Sequence, residues 1–375
     1  MTFKGRELRS TLADDGTLTL HLEEVVIAAP GPDEIVVRVE AAPINPSDLG
    51  LLLGPADIGS LAVGGTDEQP TATFKVPRGA LAGLRARIGQ SLAVGNEGAG
   101  TVIAAGANAK ALEGRRVGMM GGAMYADYRR CRARDVVPLP EGASAADGAA
   151  MFVNPLTALA FVETMRNEGH RAIVHTAAAS NLGQMLQKIC LADGVPLVNI
   201  VRSEEQAELL RGIGATHVLD SRAGDFRACL AEAVAETDAT IAFDAIGGGD
   251  LGSTIIQAME QAASRNVTEY SRYGSSVFKQ LYVYGALDPA PTTLNRMAFG
   301  FQWGVSGWLV TSFLQRAGAE VGARLRKRIV DELTTTFASR YTATIGLAEA
   351  LRPEVLRAYE RKATGEKYLI DPTRG

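Results

Sequence analysis

Cysteine is scarce in this 375-residue chain; Cys131, Cys190 and Cys229 are scattered and odd in number. That excludes a disulfide framework and fits a reducing, cytoplasmic setting. The four histidines, His21, His170, His175 and His217, show no ligand spacing. No bound metal is therefore expected. No apolar run of about 18 residues occurs, so no membrane-spanning helix is expected. The opening MTFKGRELRST lacks the apolar core of a signal peptide. Neither sign of charge dominates: 38 Lys and Arg stand against 42 Asp and Glu, for a formal net charge of −4. A nucleic-acid groove and a polybasic membrane anchor are both disfavoured. Internal repeats and low-complexity linkers are absent from the sequence.

What the chain has is 46% hydrophobic residues and 41 glycines, in a length sufficient for two domains with real cores. Residues 1–40 alternate as strands in GTLTLHLEEV and DEIVVRVEAA. The Gly/Ala-rich stretch 96–118 and DVVPLP at 135–140 continue a β-rich domain. From about residue 155 helical and strand patterns alternate: TALAFVETMRNEGH, AIVHTA, LGQMLQKICLADG, PLVNIVRS, SEEQAELLRGIGA, THVLDS, DFRACLAEAVAETD, ATIAFDAIGGG, GSTIIQAMEQAAS and KQLYVYGAL. This rhythm predicts an α/β, doubly wound parallel sheet. Beyond about residue 318 come helical runs and a last strand, KYLID. The expected division is 1–154 with 319–375 as one domain and 155–318 as the other. Two segments read as insertions, 55–93 with little periodicity and RNVTEYSRYGSSV at 265–277. Each is a binding loop or a surface excursion.

The most informative stretch is RAIVHTAAASNLGQMLQKICLADGVPLVNIVRS, 171–203. It reads as strand, small-residue turn, helix and second strand. Ala178, Ser180 and Gly183 stand where a G-x-G-x-x-G/A dinucleotide turn has its small residues. Such a turn sets a pyrophosphate on the helix N-terminus, where free N–H groups and the dipole favour an anion. The tip of the second strand, where NAD sites carry Asp or Glu, is Val201-Arg202-Ser203. A cation there suits a 2′-phosphate and points to NADP(H).

AAPINPSDLG (41–50), VGNEGAGTVIAAG (94–106), FVNPLTALAF (152–161), ASNLGQ (179–184) and GATHVLDS (214–221) follow one another as in the medium-chain dehydrogenases/reductases. Over nearly its whole length the chain resembles a zinc-free member of that superfamily. The local likeness is greatest to mitochondrial-type 2-enoyl thioester reductases, then to quinone oxidoreductases. The resemblance implies a GroES-like β-rich catalytic domain and a Rossmann domain. It sets Asn45, Asn96 and Asn154 at the places of the zinc ligands of metal-dependent relatives. Amides are poor substitutes for thiolate, imidazole or carboxylate.

The same resemblance implies phosphate contacts from Ser180, Asn181, Leu182 and Gly183, and 2′-phosphate contacts from Arg202 and Ser203. It implies nicotinamide-side contacts from Asn154 with Pro155 and from Tyr284 with Gly285. Gly307-Trp308-Leu309 and Lys367 complete the set. Core packing explains Tyr284 and Trp308 equally well. A homodimer is implied by KQLYVYGALDPA, which resembles a last Rossmann strand paired across a two-fold axis.

The likeness breaks at one place. The enoyl thioester reductases carry their proton-donating tyrosine where this chain has Ala56, which can donate nothing. Replacements are Tyr125, Tyr270, Tyr273, Asp57 or water. Asn45 is the first candidate for a polar group facing substrate or nicotinamide, and equally a turn residue before Pro46; Asp48 is expected to hold the loop. The expected function is zinc-independent, NADPH-dependent hydride transfer to a quinone, enone or similar activated alkene. One alternative is a 2-enoyl thioester reductase with another acid, for which Lys75, Arg78, Arg85 and Arg87 could meet the phosphates of the carrier. The other is a non-catalytic NADP(H)-binding sensor or structural protein.

Overall fold

The computed structural model describes residues 2–265, 267–361 and 367–374. The chain divides into two compact units, one running to Val153 and resuming at Glu332, the other Asn154–Asp331.

The first unit is built on β1 (Thr2–Leu12), β2 (Thr17–Ala28), β3 (Glu34–Pro43), β4 (Asp57–Gly65), β5 (Pro70–Lys75), β6 (Ser91–Ala93), β7 (Glu97–Ala105), β8 (Arg116–Met120), β9 (Tyr128–Arg132) and β10 (Val136–Pro138). Short helices α1 (Pro46–Leu52), α2 (Arg78–Leu81) and α3 (Ala145–Gly148) punctuate them. β1 and β2 form a long antiparallel ribbon, from Thr2 opposite Ala28 to Leu12 opposite Leu18. Its buried face, with Leu8, Leu12, Leu18 and Leu20, alternates with half-exposed positions as a one-sided strand should. β3 reads Glu-Ile-Val-Val-Arg-Val, and Val36, Val37 and Val39 are fully buried. It pairs with β7, β9 and β20 (Tyr368–Ile370), the last of which pairs in parallel with β19 (Ala343–Ile345).

The 55–93 segment is more ordered than its composition suggests. β4 and β5 form a hairpin that extends the β1–β2 sheet through β5. The irregularity seen in the sequence is a register shift between Asp57 and Ala62 on a mostly exposed edge strand. Such an edge carries no apolar alternation to read.

The second unit starts with α4 (Val153–Asn167), whose first residue belongs to the other unit, and runs through β11 (Ile173–His175), α5 (Asn181–Asp193), β12 (Leu197–Val201), α6 (Glu204–Arg211), β13 (His217–Asp220), α7 (Phe226–Thr237), β14 (Ile241–Asp244), β15 (Gly247–Gly249), α8 (Leu251–Ser264), β16 (Lys279–Val283), β17 (Asp288–Thr292), β18 (Trp303–Gly307) and α9 (Val310–Asp331). Six strands make one parallel sheet in the order β13-β12-β11-β14-β16-β18. The order reverses between β11 and β14, which opens the crevice where doubly wound folds bind ligands. β15 pairs with β17 apart from this sheet.

Two expectations are corrected. The segment 279–287 is not an edge strand: β16 lies between β14 and β18, and β18 is the edge. The second unit ends at Asp331 rather than 318. Gly318, at φ +85°, breaks the helical backbone of α9 and imitates a boundary. The chain beyond it is nevertheless tied to its own unit by Arg324 on Glu163 (2.8 Å) and Arg328 on Asp193 (2.9 Å). One helical stretch, 145–167, is long and apolar enough to cross a membrane by composition, but 78% of its most apolar window is buried within the protein. It is a core helix. The 265–277 segment holds no helix or strand among its described residues, and Tyr270 is 95% exposed.

Candidate functional site

In the second unit the turn after β11 is shaped by close approach. Ser180 caps α5, and its Oγ accepts from the Gly183 N–H at 3.1 Å. A Cβ on Gly183 would lie 2.1 Å from the Ala178 carbonyl oxygen, so only glycine lets helix and strand approach this closely. Ala177 bends the chain with φ +51°. Thr176 braces the neighbouring strand: its hydroxyl donates to Asp244 (2.7 Å) and accepts from the Ala245 N–H (2.8 Å). The first N–H groups of α5 (Asn181, Leu182, Gly183) therefore stand at the crevice, one of them used by Ser180.

At the tip of β12, Ser203 caps α6 by accepting from the Gln206 N–H, and the Arg202 N–H donates to Gln206 Oε1 (3.0 Å). The Arg202 guanidinium is exposed and forms no ion pair among the described residues. Backbone and cap are thus fixed while the charge is free.

Beside the crevice sits an aromatic cluster. Phe161 of α4 stacks on Phe243 (3.9 Å) and meets Tyr284 (4.8 Å) and Trp308 (4.7 Å). The Trp308 indole N–H donates to Thr164 (3.3 Å), and only 6% of the residue is exposed. Core packing describes Trp308; its neighbour Leu309 is 59% exposed. The Tyr284 hydroxyl lies 2.8 Å from His175 Nε2. Gly285 tolerates no side chain, since a Cβ would meet the Ala245 carbonyl oxygen at 2.5 Å. Asn154 stands half-buried in the first turn of α4.

The first unit gathers a buried charged cluster. Asn45 caps α1; its N–H donates to Asp48 Oδ2 and its side-chain amide to Glu97 Oε1, both at 2.8 Å. Asp48 also accepts from the Asn96 N–H (2.8 Å). Glu97 is fully buried and accepts from the Phe152 and Val153 N–H groups (2.8 and 2.9 Å). The pairing Leu369–Pro43 and Ile370–Ala42, continued by the Ile44 N–H donating to the Tyr368 carbonyl, brings Lys367 opposite Asn45. The Lys367 ammonium is buried, with Tyr341's ring 5.7 Å away. Lys367 Nζ, Asn45 Oδ1 and Tyr359 Oη are buried without hydrogen-bond partners among the described residues.

Burial sets the titration of this cluster. It pushes Asp48 up to about 7, with Glu97 adding to the rise and the backbone donors of Asn45 and Asn96 opposing it. Glu97 is raised by burial against the pull of Lys367. Lys367 is lowered by burial against the pull of both carboxylates. One ammonium thus faces two carboxyl groups, and the three titrate as a coupled set. The sequence reading passed over Glu97 and expected of Asp48 only that it hold the loop. Glu97's partner lies 52 positions away, so no local pattern marks it.

Tyr125, expected as a proton donor, is corrected. It is 1% exposed, packed over Gly95, and its hydroxyl donates to the Pro43 carbonyl (3.2 Å) beside Asp48. Its hydroxyl hydrogen is spent on the backbone and is not free for a substrate, unlike Asn45 Oδ1 and Lys367 Nζ, which are unpartnered among the described residues. Asp57 is exposed and ties its own turn through Gly59. Tyr270 and Tyr273 are exposed on the second unit, Tyr273 under the Arg272 guanidinium (4.7 Å). Arg87 leaves the expected basic patch: it turns inward to Ser10 and the Leu51 carbonyl, both 2.6 Å. Lys75 is engaged by Thr17 (2.7 Å), and Arg78 and Arg85 remain exposed. Among the described residues no group of three or more His, Cys, Asp or Glu is placed to hold a metal ion. Asn45 and Asn96 spend their amides on Glu97 and Ser47. This donor set does not fit zinc.

Residues 31–141 match the alcohol dehydrogenase GroES-like domain. A crystal structure from Mesorhizobium loti, described as an NADPH:quinone reductase, superposes with a TM-score of 0.72 at 27% identity, covering 98% of both chains. In that domain and in its fold the chain is similar to the medium-chain dehydrogenases/reductases. A mitochondrial enoyl-[acyl-carrier-protein] reductase of Xenopus tropicalis is 28% identical over 53% of this chain and 51% of its own length. A mycocerosic acid synthase-like polyketide synthase of Mycobacterium tuberculosis is 29% identical over 52% of this chain but 8% of its own length. The chain thus spans about half, or far less, of these curated relatives.

Proposed function

We propose that this protein is a zinc-independent, NADPH-dependent oxidoreductase that reduces a quinone, enone or similar activated alkene. The observation that carries the reading is the β11–α5 turn. Gly183 admits no side chain, Ser180 caps the helix, and a free Arg202 stands at the tip of the next strand. Helix N–H groups suit a pyrophosphate, and a guanidinium without an acidic partner suits a 2′-phosphate. NADPH, when bound, supplies the hydride. The relatives' names, NADPH:quinone reductase and enoyl reductase, support the same cofactor and chemistry.

The chain's own residues have three tasks. Ser180, Asn181, Leu182, Gly183, Arg202 and Ser203 bind the cofactor's anionic half. Asn154, Tyr284, Gly285 and Leu309 bound the nicotinamide side. Asn45 and Lys367 present an acceptor and a cation, both unsatisfied among the described residues. Lys367 suits an anionic part of the cofactor, and Asn45 suits a polar group of the substrate. With amides at the zinc positions, no Lewis acid is invoked, and an alkene conjugated to a carbonyl is the acceptor that needs least polarisation. A 2-enoyl thioester is a second reading, favoured by the enoyl reductase relatives and by exposed Arg78 and Arg85. We assign the oligomer as a homodimer joined through the exposed edge of β18, beside Phe301 at 67% exposure. A sedimentation mass equal to one chain would refute that assignment.

The test follows reduced-nicotinamide absorbance with 1,4-benzoquinone, an enone, a 2-enoyl-CoA and an aldehyde. Turnover with the quinone or enone supports the reading; turnover with the enoyl-CoA alone selects the second. NADPH binding with no turnover on any acceptor identifies a binding protein instead.

A further inference from the structure

His175 and Tyr284 are coupled in a way that the cofactor reading leaves unused. His175 ends β11 and Tyr284 follows β16, so the pair reaches across β14 at the carboxyl edge of the sheet, the edge that carries the Ser180 turn. Their rings lie nearly parallel, 5.9 Å apart, and Nε2 is 2.8 Å from the phenol oxygen. His175 is fully buried, and its other ring nitrogen, Nδ1, has no partner among the described residues.

That asymmetry fixes the hydrogens. Burial holds the imidazole pKa down to about 3, so the ring is neutral and carries one N–H. A proton on Nδ1 would leave a buried donor unpaired, which folded proteins rarely tolerate; an unpaired lone pair costs less. The proton therefore sits on Nε2 and is donated to Tyr284 Oη. The phenol's own hydrogen is then not spent on His175, and no other acceptor stands within reach of it among the described residues. Burial and Asp244 hold the phenol protonated. Phe161, edge-on at 4.8 Å, limits movement of the ring.

We propose that His175 is a positioning residue that turns the half-buried Tyr284 hydroxyl into a fixed hydrogen-bond donor for a carbonyl oxygen of the bound ligands, either the substrate's or that of the nicotinamide carboxamide. The proposal rests on the NADPH reading. Tyr284 acts as a donor only; it releases no proton.

Two measurements decide it. In uniformly 15N-labelled protein, long-range imidazole correlations report the tautomer, with the His175 signal assigned by its loss in H175Q. A protonated Nε2, unchanged from about pH 5 to about pH 9, is expected; a protonated Nδ1 overturns the proposal. NADPH affinity and kcat/KM are then compared across variants whose thermal midpoints are also recorded. Y284F should lose about tenfold or more in one parameter. The loss falls on NADPH affinity if the acceptor is the carboxamide, and on kcat/KM at unchanged affinity if it is the substrate. No loss in either overturns the proposal. H175L should reproduce the Y284F defect in the same parameter, while H175Q, which keeps a donor at the ε position, should restore it to within about twofold. A defect in Y284F that H175L does not share removes His175 from the assignment. If the wild-type protein fails to bind NADPH, the functional reading fails and the ligand half of the proposal with it. The tautomer measurement still decides the His175–Tyr284 half.

Discussion

The two units place polar chemistry inside the protein by different means. In the second unit, shape does the placing: Gly183 and Gly285 sit 2.1 and 2.5 Å, in Cβ terms, from backbone oxygens, and the buried His175 is neutral. In the first unit, charge does it. Asp48, Glu97 and Lys367 are all buried, and among the described residues three polar atoms of the cluster lack partners. A site set by shape tolerates no added atom and is indifferent to pH. A site set by buried charge tolerates isosteres, but not a changed balance, and it must respond to pH.

The largest expected effect tests the shape side. Gly183→Val puts a branched carbon into the Ala178 carbonyl. Overpacking of this kind should weaken NADPH binding by about hundredfold or more, or unfold the second unit. Fluorescence titration and circular dichroism read both outcomes. NADPH affinity within a few-fold of wild type would show that the turn is not held by that approach.

Glu97 is the matching break on the charge side. Glu97→Leu removes three accepted hydrogen bonds and the counter-charge of Lys367, and should cost about 3–5 kcal/mol in urea unfolding. Glu97→Gln should cost much less. Its oxygen can keep the Phe152 and Val153 donors, and a flip of the Asn45 amide turns the unpartnered Oδ1 toward the new NH2 group. Equal costs for the two variants would mean that charge balance, and not hydrogen bonding, dominates there.

Arg202→Ala separates binding from stability. The guanidinium is exposed and has no ion pair among the described residues, so the unfolding free energy should stay within about 0.5 kcal/mol of wild type. NADPH affinity should fall about tenfold or more while NADH affinity is unchanged, because only the 2′-phosphate loses a partner. A parallel loss for both cofactors would remove the NADP(H) assignment.

The same contrast explains what could be seen in the sequence. The second unit was legible because its strands and helices have different periods and its turn has small residues at fixed offsets. The buried cluster was only half legible. Asn45, Asp48 and Lys367 stood out through a resemblance, but Glu97 lies in a Gly/Ala run with no period, and its contacts are made 52 or more positions away. Tyr125 looked available because a tyrosine's burial cannot be read from GGAMYADY. The β4–β5 hairpin was missed because an exposed edge strand with a register shift has no apolar face. The domain end was misplaced because Gly318 bends a helix that then continues.

The last predicted effect, spread over several pH units, is the one that only a charge-built site can show. An aspartate in the unfolded chain titrates near about 3.9, whereas folding raises Asp48 to about 7. Between those values the folded chain keeps a proton that the unfolded chain has released. Asp48's favourable contribution is therefore complete below about pH 4 and is lost as pH rises to about 7, amounting to about 1–4 kcal/mol. Glu97, also raised, acts in the same direction. Asp48→Asn mimics the protonated carboxyl at every pH, so its stability should vary less from about pH 5 to about pH 8 and approach the wild type at the acid end. Urea midpoints across that range measure both slopes. If the two proteins lose stability in parallel, Asp48 is ionised throughout, and the Asn45 and Asn96 N–H groups that hold it outweigh its burial.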